Sequence, residues 1–151
     1  MRYGIIGLLS GLMMVAIVNV LPGRCGDMED VKAVLEGQTS AFAAADIGTW
    51  SKYWVQDAGF TMINRRTVFA SFSELKEAVL EFHKNITVAD PKISDVEIHV
   101  SGDVAWAVFT NHWIAKYKDG RPDATNLGTV TVGLIKQDGQ WKILRFHETE
   151  K

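Results

Sequence analysis

Hydrophobic and polar positions follow one another along this chain with changing periods. The first 21 residues show no alternation at all: Arg2 precedes GIIGLLSGLMMVAIVNVL, and no further charge occurs until Arg24. From Asp27 the apolar positions Val31, Val34, Leu35, Phe42 and Ala45 recur at three- and four-residue spacing, with Glu29, Lys32 and Glu36 elsewhere on the wheel. That spacing predicts an amphipathic helix. Asp27 is placed to cap it, and Asp27 and Asp30 both suit the positive end of its dipole. Asp46 and Gly48 mark its end, and TWSKYW predicts a short second helix. GFTMIN (59–64) predicts a brief strand. SELKEAVLEFHKN predicts a third helix, with Ser73 as N-cap, Leu75, Val79, Leu80 and Phe82 inward, and ADP as its stop.

After Pro91 the period falls to two. KISDVEIHV (92–100), DVAWAVFTNHWIAKYK (103–118), NLGTVTVGLIK (126–136) and QWKILRFHE (140–148) predict four strands. The turns between them, SGD, DGRPDAT and QDGQ, are short and rich in Gly and Asp, as hairpin turns are. Helices first and an antiparallel meander afterwards predict an α+β fold, with the helices packed on one face of a curved sheet. On the second of these strands Trp106, Val108, Thr110, His112 and Ile114 face one way, while Ala107, Phe109, Asn111, Trp113 and Tyr117 face the other. Both sets are apolar, whereas a sheet covered on one side only shows one polar face. The uncovered face is therefore expected to bury itself against another copy of the chain, through Phe109, Trp113 and His147. A homodimer or larger self-assembly follows.

Composition narrows this picture. The chain has 151 residues, of which 47% are hydrophobic and 23% charged, with a net charge of −2. That allows one globular domain, placed at residues 27–151. Lys and Arg are scattered, with no basic stripe, so no nucleic-acid partner is expected. Residues 1–26 are a different material. A basic residue followed by a long apolar run is the pattern of an export signal, giving a periplasmic or secreted protein. The run also approaches the roughly 20 residues that span a bilayer. A retained anchor over residues 4–21 is the alternative, and membrane contact is expected only in that case.

Cys25 is the sole cysteine, which excludes an internal disulfide. It stands where a lipoprotein cysteine would, but Arg24 precedes it where the lipobox wants a small residue. Asn85, Ile86 and Thr87 fit a glycosylation acceptor. No Cys/His cluster has metal-ligand spacing and no Gly-rich phosphate loop follows a strand, so neither metal nor nucleotide cofactor is expected.

AFAAADIGTWSKYW followed by DAGF, then SGDVAWAVF and the terminal DGQWKILRFH, resemble the nuclear transport factor 2-like superfamily over residues 28–150. The resemblance is nearest to the SnoaL-like branch and to the association domain of calcium/calmodulin-dependent kinase. It implies a cone-shaped, cystatin-like α+β fold wrapped around a pocket between helices and sheet. It does not imply one activity, because this fold hosts isomerases, cyclases, dehydratases, transport factors and assembly domains.

Ketosteroid isomerases of this fold use a carboxylate base on the first strand, a Tyr on the first helix and a protonated Asp on a later strand. In this sequence the base falls on Met62, the Tyr on Gln38 and the Asp at about Val132. Methionine accepts no proton at neutral pH and valine donates none, so that chemistry is not carried. Dehydratase- or cyclase-type Asp and His bases elsewhere in the cone stay open. The arginines that receive carboxylate ligands in the kinase association domain fall on His112, Val132 and Glu148. With no guanidinium fork at those positions, the resemblance implies a neutral or cationic, largely apolar ligand.

The pocket is expected to be lined by Phe42, Trp54, Phe60, Met62, Trp106 and Phe146, with Thr110 and Val132 beside them. Gln38 offers an amide to a ligand carbonyl or, equally, to a backbone group. On the last strand, alternation puts Leu144, Phe146 and Glu148 on one side and Ile143, Arg145 and His147 on the other, and the resemblance to the kinase association domain implies that the Glu148 side faces the pocket and the His147 side the outer face. His147 and Glu148 are then back to back, and HETEK, lacking the second His and lying on a strand, is no metalloprotease motif. His112 and Glu148 are both expected to face the cone, where an imidazole beside a carboxylate forms a general base. The plainer alternative is a hydrogen-bonded core histidine and a strand end in solvent.

Three functions fit. The first is an exported cone protein that binds a small apolar or amphipathic molecule without chemistry. The second is an isomerase-, cyclase- or dehydratase-type enzyme with His112 as base, assisted by Glu148 or Gln38. The third is a homo-oligomeric assembly module.

Overall fold

The computed structural model describes residues 24–150; the apolar run, the candidate anchor and the side chain of Cys25 lie outside what it describes. The elements run α1 (Arg24–Ala43), α2 (Ile47–Ser51), β1 (Thr61–Asn64), β2 (Thr67–Phe69), α3 (Phe72–Asn85), β3 (Ile86–Ser101), β4 (Val104–Tyr117), β5 (Ala124–Gln137) and β6 (Gln140–Glu150). Among the described residues no helix is long and apolar enough to cross a membrane.

The four long strands form the expected antiparallel meander, and β1 joins it in parallel beside β6, giving one sheet in the order β2-β1-β6-β5-β4-β3. The sheet is curved and unclosed and follows the helices in the chain, which makes the fold an α+β cone-like one.

Several local signals act differently from the sequence expectation. Helix α1 begins at Arg24, ahead of Asp27. Asp27 does not cap it; its Oδ1 accepts from Lys136 Nζ at 2.5 Å and Trp141 Nε1 at 3.3 Å, tying the helix to the β5–β6 hairpin. Asp46 starts α2, where its Oδ1 accepts from the Thr49 backbone N–H at 3.0 Å. Helix α3 is capped by Ser71, not Ser73: Ser71 Oγ accepts from the Glu74 N–H, while Glu74 Oε2 reaches back to the Ala70 N–H. That reciprocal pair satisfies two donors the helix cannot satisfy itself. Strand β2 is a hairpin partner of β1, turned through Arg65 at φ 55°. Strand β3 starts at Ile86 and carries Pro91 in a bulge on the sheet edge, where a missing N–H costs no ladder bond.

The core joins Val31 and Leu35 of α1 to Phe109, Val130, Leu134 and Ile143 of the sheet. Trp54 is its aromatic centre, with ring centroids 5.3 Å from Trp50, 5.9 Å from Phe60 and 5.7 Å from Phe146. Such tilted and edge contacts add about 0.5–1.5 kcal/mol each beyond burial.

Two register features decide which side chains face inward. On β4 the buried positions are Ala105, Ala107, Phe109 and Ala115. The ladder aligns Phe109 with Val130, and Val130 with Glu148. On β6, Leu134 pairs with Ile143 and Gly133 with Arg145, leaving Leu144 as the extra residue of a bulge. Ile143 and Phe146 consequently both point into the core, which corrects the strict alternation expected for this strand.

Candidate functional site

A cavity of about 300 Å³ lies between the helices and the sheet. Its apolar walls come from Phe42 on α1, Val79 and Phe82 on α3, Met62 on β1, Trp113 on β4 and Phe146 on β6. The amphipathic pattern of α3 presents Leu75 and Val79 there because those are the positions buried on that helix.

The polar lining is gathered around one carboxylate, Glu148, which is 5% exposed. Asn111 Nδ2 and Asn126 Nδ2 both donate to its Oε1, at 3.2 and 3.0 Å. Asn126 Oδ1 in turn accepts from Arg65 Nη2 at 2.5 Å, which fixes the amide so that its NH₂ meets the carboxylate. Arg65 also lies 3.4 Å from Glu150 Oε1, and its backbone N–H donates to the Glu148 carbonyl at 2.9 Å. The parallel pairing of Asn64 with Glu148 carries the β1–β2 turn over this cluster. Among the described residues nothing donates to Glu148 Oε2, and no Lys, Arg or His forms an ion pair with the carboxylate. The second oxygen of this wall carboxylate is left without a donor among the described residues.

Gln38 Nε2 is spent on Thr39 Oγ1 at 2.8 Å. Trp54 Nε1 is buried without an acceptor among the rings around it. His83 packs on Phe42 with centroids 4.9 Å apart. Burial pushes its imidazole below its ordinary value and nearby Lys118 adds to this, while a backbone hydrogen bond at Ile86 opposes it.

Of the side chains anticipated at the pocket, Gln38, Phe42, Trp54, Met62, Phe146 and Glu148 line the cavity. Phe60 and Val132 do not; they are buried behind the wall, Phe60 edge-on against Trp54 and Val132 laddered between Ala107 and Phe146. Trp106, Thr110 and His112 stand on the opposite face of β4, since Phe109 is inward and the strand alternates. His112 and Glu148 therefore form no pair across the cone; Asn111 holds the place beside Glu148. The same parity corrects the outer face: Phe109 is core and Trp113 is cavity wall, while His147 is outside. Sequence reasoning missed Arg65, Asn111 and Asn126. The available signal was Asn within two apolar strands, a residue depleted there unless it has a hydrogen-bonding task.

Residues 31–148 match the profile of the SnoaL-like domain. The chain belongs to that family. It is a SnoaL-like branch of the nuclear transport factor 2-like superfamily, and solved structures of that fold superimpose on it. One from Novosphingobium aromaticivorans, provisionally named a scytalone dehydratase, is 16% identical, with 85% of this chain and 86% of that one covered at a TM-score of 0.78. Another from Streptomyces avermitilis, provisionally named a dehydratase, is 20% identical over 85% and 98% of the two chains, TM-score 0.75. A third, from Shewanella frigidimarina and provisionally named a ketosteroid isomerase, is 23% identical over 80% and 94%, TM-score 0.62. Likeness at these identities carries the fold and not an activity. No curated protein matches the SnoaL-like chain significantly.

Proposed function

We propose that this SnoaL-like protein binds a small, largely apolar molecule in the cone, with a donor group of that molecule on Glu148 Oε2. The carrying observation is a single buried carboxylate, held by two amides on one oxygen and open on the other, in a cavity of about 300 Å³ walled by aromatic rings. That volume is at the lower end for small-molecule sites, about 300–1,000 Å³, which are mostly apolar with a few placed polar groups. Native mass spectrometry of the gently purified full-length chain tests this. A defined extra mass, lost on Phe82→Ala or Glu148→Gln, is the expected result. A chain that carries nothing and shows no tryptophan response to any apolar ligand would sink the reading.

A second reading makes Glu148, in place of His112, the general base of an isomerase-, cyclase- or dehydratase-type reaction. The observation favouring it is that Arg65 and Asn126 hold the carboxylate in one orientation while leaving a proton-accepting oxygen free. The names given to the similar dehydratase and isomerase structures agree with that class. Under it, Glu148→Gln abolishes turnover while ligand binding survives.

Self-association belongs to the same proposal, now through the outer face where Trp106, Val104 and Leu127 are 44%, 57% and 39% exposed. Sedimentation of Trp106→Glu reads it: a monomer is expected, and an unchanged oligomer would move the contact elsewhere. Export by the N-terminal run completes the reading. Fractionation of producing cells tests it, and a cytoplasmic chain would overturn it.

A further inference from the structure

We infer that the molecule held in the cone is an organic cation: a primary or secondary ammonium on a mostly apolar, aromatic or aliphatic body. This rests on the binding reading and names its ligand class. The inference begins with a charge that the protein leaves unbalanced. Glu148 is nearly fully buried, and both of its protein donors are neutral amides directed at Oε1.

Arg65 is the cationic side chain on the described wall, yet its guanidinium is committed to Asn126 Oδ1 and to Glu150 rather than to Glu148. Burying a carboxylate is costly unless a counter-charge or several donors meet it. Two amides on one oxygen meet half of that requirement. The remaining oxygen lies on the wall of a cavity and has no donor among the described residues.

What surrounds that oxygen selects among ligands. Trp113, Phe146, Phe42 and Phe82 share the cavity with Glu148. Aromatic faces attract a cation and gain most when water is excluded. An ammonium therefore finds a charge-assisted hydrogen bond at Oε2 and π faces for its charge and its carbon body. A neutral alcohol finds the hydrogen bond only. A carboxylate ligand meets repulsion. The bound pair is a proton-complete ammonium–carboxylate contact, so no bond is made or broken.

The experiment compares three probes of one shape on the full-length chain: 2-phenylethylammonium, 2-phenylethanol and phenylacetate. Quenching of the cavity tryptophans, with calorimetry as a second readout, gives their affinities at neutral pH. The ammonium is expected to bind about tenfold or more tighter than the alcohol, the size of one charge-assisted hydrogen bond, and phenylacetate weakest. Glu148→Gln should erase the ammonium's advantage over the alcohol. An alcohol that binds as tightly as the ammonium would overturn the cation class while leaving the cavity reading standing. Absence of binding by all three would overturn both. The wild-type comparison decides the matter even if Glu148→Gln does not fold.

Discussion

Gly128 and Glu148 are neighbours across β5 and β6, and the space that Gly128 leaves empty is where the Glu148 side chain lies. A Cβ at position 128 would come within 2.9 Å of Glu148 Oε1, 3.1 Å of its Cγ and 2.8 Å of the Thr149 carbonyl oxygen. The carboxylate can adjust, but the Thr149 carbonyl belongs to the ladder and cannot move alone. Gly128→Ala is expected to cost about 1–3 kcal/mol of stability, the range for overpacking, and to push the carboxylate off Asn111 and Asn126. Urea denaturation measures the first effect and ligand affinity the second. A variant as stable as wild type with unchanged affinity would mean that Glu148 lies elsewhere in solution.

Asn126 is the joint between Arg65 and Glu148, so the three positions should not be equally sensitive. Asn126 is buried, whereas the Arg65 side chain is 44% exposed. Asn126→Ala strips one donor from a buried carboxylate and is expected to destabilise by about 1–3 kcal/mol. Arg65→Ala removes a solvated partner and is expected to cost less than about 1 kcal/mol. Denaturant midpoints of the two variants give the order, and a costlier Arg65→Ala would show that the guanidinium, not the amide, carries the cluster.

Much of the fold was legible because periodicity changes where the structure changes: three-and-four spacing before Asn85, alternation after Pro91. Family membership was legible in the same segments. The cavity lining was harder. On β4, Trp106 and Val108 compete with Phe109 and Trp113 for the inside, so apolar alternation offers two equivalent choices. The choice is made by the ladder, through Val130 to Glu148, which is long-range information. On β6 one bulged residue, Leu144, shifts the parity midway, and nothing local announces it. Phe146 and Glu148 lie beyond the bulge and read correctly by alternation; Ile143 lies before it and does not.

His83 makes stability depend on pH in the mildly acidic range. Its imidazole is held below the ordinary value of 6.5, chiefly by burial, and its Nε2 is buried without a partner among the described residues. The unfolded chain therefore takes up this proton first. Stability contributed by the neutral ring is present above about 6.5 and falls as pH drops below it, levelling once the folded ring also protonates. Thermal melts from pH 7.5 to 5 should show this slope, and His83→Gln should flatten it. An identical slope in the variant would assign the effect to another group.

The Asp27–Lys136 contact has a different window. The Lys136 hydrogen bond holds the Asp27 carboxyl below its ordinary 3.8, and the same hydrogen bond holds Lys136 above its ordinary 10.5. A depressed acid stabilises above its ordinary value and loses that contribution as pH falls through the folded one. A raised base stabilises below its ordinary value and loses it as pH rises through the folded one. The contact is thus constant between pH 5 and 9 and fails at the two ends, together with the anchoring of α1 on the β5–β6 hairpin. At neutral pH the first turns of α1 should lose protection against hydrogen exchange in Lys136→Met relative to wild type. Equal exchange rates at neutral pH would mean that Trp141 alone suffices as the anchor.

Filling the cavity separates its structural role from its binding role. Ala78 stands on α3 with its methyl group on the cavity wall, in reach of the space that Val79 and Phe82 border. Ala78→Phe places a ring in that space without touching the Glu148 cluster. Burying the added apolar surface gains roughly 1–2 kcal/mol at about 25 cal/mol per Å², less any strain from imperfect fit. If the void exists for a ligand, the variant melts higher than wild type and binds nothing, the usual exchange of function for stability at a functional site. A lower melting point with binding retained would mean that side chains already occupy the space in solution, and the 300 Å³ opening would then lose its claim to hold a ligand.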